Sequence, residues 1–136
     1  MADTLRLEIV TPQATAFSED VDMVTLPGVE GQMGVYPLHV HLITQIVPGE
    51  VSVMKGGVER LLAVGEGLVE ISAARVSIIT DMAIAAEEID EAKVEAARAR
   101  AAARLQDKIS DEEIASVNAS LARSLAQLQI KKRRRM

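Results

Sequence analysis

The sequence predicts a mainly β fold, an antiparallel sandwich or flattened barrel of about ten short strands, followed by an antiparallel two-helix hairpin. Three observations carry that expectation. All 8 glycines and all 4 prolines fall within residues 1–86, and residues 87–136 have none. Net charge divides at the same place, −7 before it and +2 after it within an overall −5. The apolar period changes there as well, from two residues to about 3.6. We therefore place two parts at 1–86 and 87–136.

Within the first part, Leu5 to Ile9 alternates apolar and polar residues and stops at Thr11-Pro12. Strand-like runs follow at 21–26, 42–47, 51–54, 58–64, 68–72 and 76–80, separated by Pro27-Gly28, Pro48-Gly49, Gly56-Gly57, Gly65-Glu66-Gly67 and Ala74-Arg75. Gly56-Gly57 is the strongest hairpin signal, because paired glycines accept the positive φ values of a tight turn. Leu26-Pro27-Gly28 predicts a strand end entering a turn, with the proline at the first corner and the glycine at the second. Glycines at 28, 31 and 34 also raise the idea of a phosphate loop. A phosphate loop needs a helix start to aim its N–H groups, however, and Pro37 excludes a helix after Gly34. The stretch is read as a turn.

The second part is rich in Ala, Glu, Arg and Lys, all strong helix formers. Acidic Glu87, Glu88, Asp90 and Glu91 suit a helix N-terminus, with Asp90 as its cap, and a first helix is expected to run to Ile109. Ser110-Asp111-Glu112-Glu113 fits a capping box and starts a second helix after a tight connection near Lys108. Ala92, Ala96, Ala99 and Ala103 form a small-residue face expected to meet a stripe of Ile114, Val117, Leu121, Leu125 and Leu128. Alanine buries little area, so the hairpin is expected to be weakly held and able to open.

Composition narrows the function. Hydrophobic residues make up 49% of the chain with one Tyr and one Phe, so the core must be aliphatic. With 0 cysteines there are neither disulfides nor thiolate metal sites. No stretch reads as a signal peptide or membrane span. His39 and His41 would share a face if extended through Val40, but no third ligand is near, and packing or exposure is the expected role. No catalytic constellation stands out. The basic end, Lys131 to Arg135, suits a helix C-terminus and an acidic protein surface better than nucleic acid, given the acidic whole.

Leu26-Pro27-Gly28, Glu30-Gly31-Gln32-Met33-Gly34-Val35 and Tyr36-Pro37 with His39, Leu42 and Thr44, continued by Pro48-Gly49, Gly65-Glu66-Gly67 and 76–81, resemble the epsilon subunits of bacterial F-type ATP synthase along essentially the whole chain. The resemblance implies a non-catalytic rotor subunit at the cytoplasmic face of the inner membrane, bound to gamma and resting on the proton-driven c-ring. By the same resemblance, Glu30, Gly31, Gln32 and His39 would touch the ring. Arg98, Arg100, Arg104 and Arg123 would meet acidic surfaces of the alpha/beta catalytic head, where an extended hairpin restrains ATP hydrolysis. Gln32 stands where some relatives carry an acid, and His41 where proline is frequent. No required cofactor is implied, although some relatives bind regulatory ATP through Ile/Leu-Asp-x-x-Arg-Ala. Here Ile89, Asp90 and Lys93, with Arg123, would supply such a site, lysine lacking the fork of arginine. Membrane association would come only through the complex, with no nucleic-acid partner. An ATP-sensing module and a basic-tailed adaptor are the alternatives.

Overall fold

The computed structural model describes residues 3–39, 41–107 and 109–135. Ten strands form one curled sheet: β1 Leu5–Val10, β2 Thr15–Val21, β3 Met23–Gly28, β4 Gly31–Val35, β5 Leu42–Ile46, β6 Gly49–Lys55, β7 Val58–Val64, β8 Gly67–Ile71, β9 Arg75–Thr80 and β10 Ala83–Ala85. A 3-10 turn at Ala86–Glu88 leads to α1 Glu91–Arg104 and α2 Asp111–Arg135. The strand order is β10-β7-β6-β3-β5-β8-β9-β1-β2, with β4 paired to β3.

Alternation buries one face of strands such as β1 and β9, whereas in β7 Leu62, Ala63 and Val64 are all buried because α2 packs on that strand as well. Leu5, Leu7 and Ile9 from β1 meet Val69, Ile71, Val76 and Ile78 from β8 and β9, with Val24, Leu26, Val51 and Val53 completing the same core. As composition required, the core is aliphatic apart from Phe17. The guanidinium of Arg60 lies 5.2 Å from that ring's centre. Arg60 also bonds Glu19 at 2.9 Å, as Lys55 does at 3.1 Å, tying β2 to β6 and β7. These hydrogen bonds, with Arg60 the larger influence, hold the Glu19 carboxyl below the usual glutamate range. A depressed carboxylate stabilises the fold above the unfolded-state value and loses that contribution as pH falls through the folded-state value. Glu19→Gln is therefore expected to flatten the acid limb of a stability-versus-pH curve, by well under 1 kcal/mol because the pair is exposed; an unchanged acid limb would exclude the effect.

Several elements differ from the sequence expectation. β4 and β10 lie outside the runs read as strands, and β2 shares only Val21 with them. β1 and β9 pair in parallel, Ile9 opposite Ile78, so the sheet is not wholly antiparallel. The β3–β4 turn comes later than Pro27-Gly28: both residues stay in β3, Gly28 pairs with Gly31, and Gly31 has a φ of 125°. Pro27 can occupy the strand because Val47 donates to its carbonyl and no N–H is required of it. Gly56-Gly57 does form the expected tight hairpin, with φ values of 58° and 78°.

Leu38 has a φ of 67° and is 73% exposed. A left-handed conformation costs a side chain with a Cβ roughly 1–2 kcal/mol. Leu38→Gly removes that strain at the expense of unfolded-state entropy, and about 1 kcal/mol of added stability is expected. A urea midpoint that does not rise would contradict it.

The helices are capped as expected. Asp90 accepts from the N–H groups of Ala92 and Lys93, and Ser110 accepts from Glu113 N–H at 3.2 Å. Their packing faces differ. Ala92, Ala96, Ala99 and Ala103 are exposed, and the half-buried side of α1 carries Val94, Ala97, Arg98, Ala101 and Leu105. Val94 sets this rotation, since it packs onto a second core cluster formed by Ala63, Ala86, Ile89 and Ile130. On α2, Ile114 and Leu125 are exposed, whereas Ser124, Ala126 and Ile130 are buried. A helix that must meet both α1 and the β6–β7 surface buries a broader arc than a single stripe. α1 ends at Arg104 rather than at Ile109, so the connection to α2 is longer than expected; Lys108 itself lies outside the described residues.

Candidate functional site

Among the described residues, no group of three or more His, Asp or Glu side chains could hold a metal ion. His41 instead approaches Glu70 at 3.5 Å on an exposed surface. The extended reading of His39 and His41 passes through Val40, which lies outside the described residues.

The notable surfaces are apolar. On the outer face of the sheet, Gln45, Leu68, Ile79 and Val10 stand side by side across β5, β8, β9 and β1. Leu68 is 50% exposed and Ile79 62%, and Ile43, one row away, is 61% exposed. A sheet with one buried face normally turns polar side chains to water, so large aliphatics here need another explanation. The hairpin does not provide it, because α2 packs on β6 and β7. A groove of about 490 Å³ continues this face, lined by Val29, Val47, Pro48, Glu66 and Leu68 among others.

A second groove, about 630 Å³, lies at the β3–β4 turn. Glu30, Gly31 and Gln32 line it together with Leu42 and Thr44, and His39 is not among its lining residues. Gly28 pairs with Ile46, and Ile46 with Gly67, at one end of β8. Leu38 donates instead to the carbonyl of Ala73, beyond the other end. The structure thus gathers three of the four expected ring-contacting residues, with His39 reached by a different part of the chain.

Of the four arginines expected to meet a catalytic head, three bond acids of this chain. Arg98 Nε donates to Glu95 at 2.9 Å, Arg104 to Glu113 at 2.7 Å, and Arg123 to Asp81 at 2.9 Å. The hydrogen bond with Arg98 holds the Glu95 carboxyl down, and Glu95 in turn raises Arg98. Arg100 is exposed.

The residues expected to serve ATP are employed otherwise. Ile89 is 4% exposed inside the second core cluster, Asp90 caps α1, and Arg123 is held by Asp81 and Ser120. Only Lys93 is an exposed cation. In the docked arrangement Asp90 and Arg123 are thus already bonded within this chain.

Two grooved surfaces and a docked helical hairpin are thus the features that stand out among the described residues. Residues 4–86 match the ATP synthase delta/epsilon chain beta-sandwich domain, and residues 87–132 its long alpha-helix domain. An ATP synthase epsilon chain from Herpetosiphon aurantiacus is 41% identical over 131 residues, covering 96% of both chains. An ATP synthase epsilon chain 2 from Syntrophotalea carbinolica is 40% identical, covering 96% of this chain and 95% of that one. In structure, the fold is similar to a chain of the Euglena gracilis mitochondrial ATP synthase OSCP/F1/c-ring assembly, with a TM-score of 0.76 and 25% identity over 93% of this chain and 79% of the other. The chain belongs to the ATP synthase delta/epsilon family.

Proposed function

We propose that this chain is a non-catalytic central-stalk subunit of a bacterial F-type ATP synthase, turning with the rotor and restraining ATP hydrolysis through its C-terminal hairpin. The observation that carries the reading is the uncovered outer face with Ile43, Leu68 and Ile79. Leu68, Ile79 and Val10, in register across β8, β9 and β1 with Ile43 one row away, fit a long apolar partner surface, and that partner in our reading is the gamma subunit. The groove at Glu30, Gly31 and Gln32 fits the polar loops of a c-ring, and His39, outside that groove, would make a separate contact. Arg98, Arg100, Arg104 and Arg123 would engage acidic surfaces of the head once the hairpin extends. Among the described residues no helix is long and apolar enough to cross a membrane. Attachment at the cytoplasmic face of the inner membrane is then made through the complex, with rotation driven by protons.

The test is reconstitution with a catalytic head lacking this subunit, comparing the full chain with residues 1–86. Both are expected to bind and only the full chain to lower ATPase activity. Ile79→Asp in the full chain should weaken binding at least tenfold, since it places a charge in an apolar contact. Failure of both forms to bind would overturn the reading; equal inhibition by both would remove the hairpin from it.

A further inference from the structure

Among the described residues, an ion pair joins α2 to the sandwich, and its surroundings are built for it. Arg123 Nη1 donates to Asp81 Oδ2 at 2.9 Å, and Arg123 Nη2 donates to Ser120 Oγ at 3.0 Å, one turn earlier on the same helix. Asp81 sits in the β9–β10 connection, directly over Gly65. A methyl group on Gly65 would lie 1.8 Å from Asp81 Oδ1 and 3.5 Å from Arg123 Cδ. Glycine at 65 therefore leaves the space that the carboxylate occupies. The loop is fixed from below, because Gly65 N–H donates to Met82 carbonyl at 2.9 Å. Arg123 and Asp81 are 31% and 38% exposed, so water does not fully screen the pair.

We propose that Gly65, Asp81 and Arg123 form a latch for the docked hairpin, in which Asp81 is an internal competitor for the arginine. A guanidinium that donates to Asp81 cannot present the same N–H groups to a carboxylate of another subunit. Docking and engagement of an external acidic surface by Arg123 are thus mutually exclusive, and the strength of the Asp81 contact biases the choice between them. The external half of this argument rests on the stalk reading above; the latch itself concerns only the isolated chain.

Hydrogen exchange of the isolated full chain tests it, comparing α2 amides near Leu121 to Ile130 with those of β1 and β8. Asp81→Asn and Arg123→Gln are each expected to lower α2 protection about threefold, the scale of a partly exposed pair, and to leave β1 and β8 unchanged. Gly65→Ala should do the same without altering any charge. The exchanged pair, Asp81→Arg with Arg123→Asp, should recover at least half of the loss. Unchanged α2 protection in both single charge variants, equal loss in β1 and β8, or no recovery in the exchanged pair would each overturn the latch. None of these outcomes depends on binding to a catalytic head.

Discussion

Ile130→Ala is expected to free the C-terminal hairpin from the sandwich while the sandwich stays folded. Ile130 is 0% exposed and is the residue of α2 that enters the second core cluster, against Ala63, Ala86 and Ile89. Two of those neighbours are alanines in a sheet and a 3-10 turn, which cannot move inward to fill the space, so the cost should lie near the middle of the usual range, about 3 kcal/mol. The polar contacts cannot compensate. Arg123–Asp81 is worth up to about 1 kcal/mol, and the hydrogen bonds of Lys131 to Ala86 carbonyl and Gln127 to Met82 sulfur on the order of 1 kcal/mol or less each. A loss of about 3 kcal/mol is over a hundredfold in the docking equilibrium. Limited proteolysis should cut the variant within 105–125 at a concentration that leaves the native chain whole, while far-UV signals of the sheet persist. Ile130→Val should behave almost like the native chain. If Ile130→Ala resists cleavage as the native chain does, the apolar anchor does not hold the hairpin.

The same residue shows where sequence reasoning stopped. The strands with clean alternation, such as Leu5 to Ile9 and the run through Val76 and Ile78, were legible because a one-residue slip would turn their apolar set to water. The Gly56-Gly57 hairpin and the caps at Asp90 and Ser110 were legible because local chemistry decides them. β4 was not, since Gly31-Gln32-Met33-Gly34-Val35 has little apolar alternation and exists through its pairing with β3. The helix faces failed for a related reason. Counting alanines identified a smooth face, but packing is decided by the largest apolar side chains. In 91–105 these are Val94 and Leu105, eleven residues or about three turns apart and so on one side. On α2, the leucine and isoleucine spacing suited one partner, whereas the helix serves two. The turn residues of the expected site were legible as a family pattern. The partners of the arginines were not, because Asp81 and Arg123 are 42 residues apart and meet only in the tertiary fold.

Gly67→Ala is expected to be the most damaging single-methyl substitution in the sandwich. A Cβ there would stand 2.0 Å from the carbonyl oxygen of Ile79 and 2.9 Å from both Ile79 C and Thr80 Cα. These are backbone atoms of the paired strand, so no side-chain rotation can relieve the contact. Relief requires β8 and β9 to part where Gly67 faces Thr80 and Leu68 faces Ile79. The cost should reach about 3 kcal/mol, the upper end for overpacking. At 4–8 °C per kcal/mol for a domain of this size, the thermal midpoint should fall on the order of 10–20 °C. Gly34→Ala provides the comparison, because its methyl meets only the flexible end of Met23 at 3.1 Å, and a shift of a few degrees is expected. Parting β8 from β9 also separates Leu68 from Ile79, the centre of the outer apolar row. The variant should therefore lose partner binding at temperatures where its remaining strands are still folded. Melting and binding that both match the native chain would show that the strands can shift at Gly67 without cost.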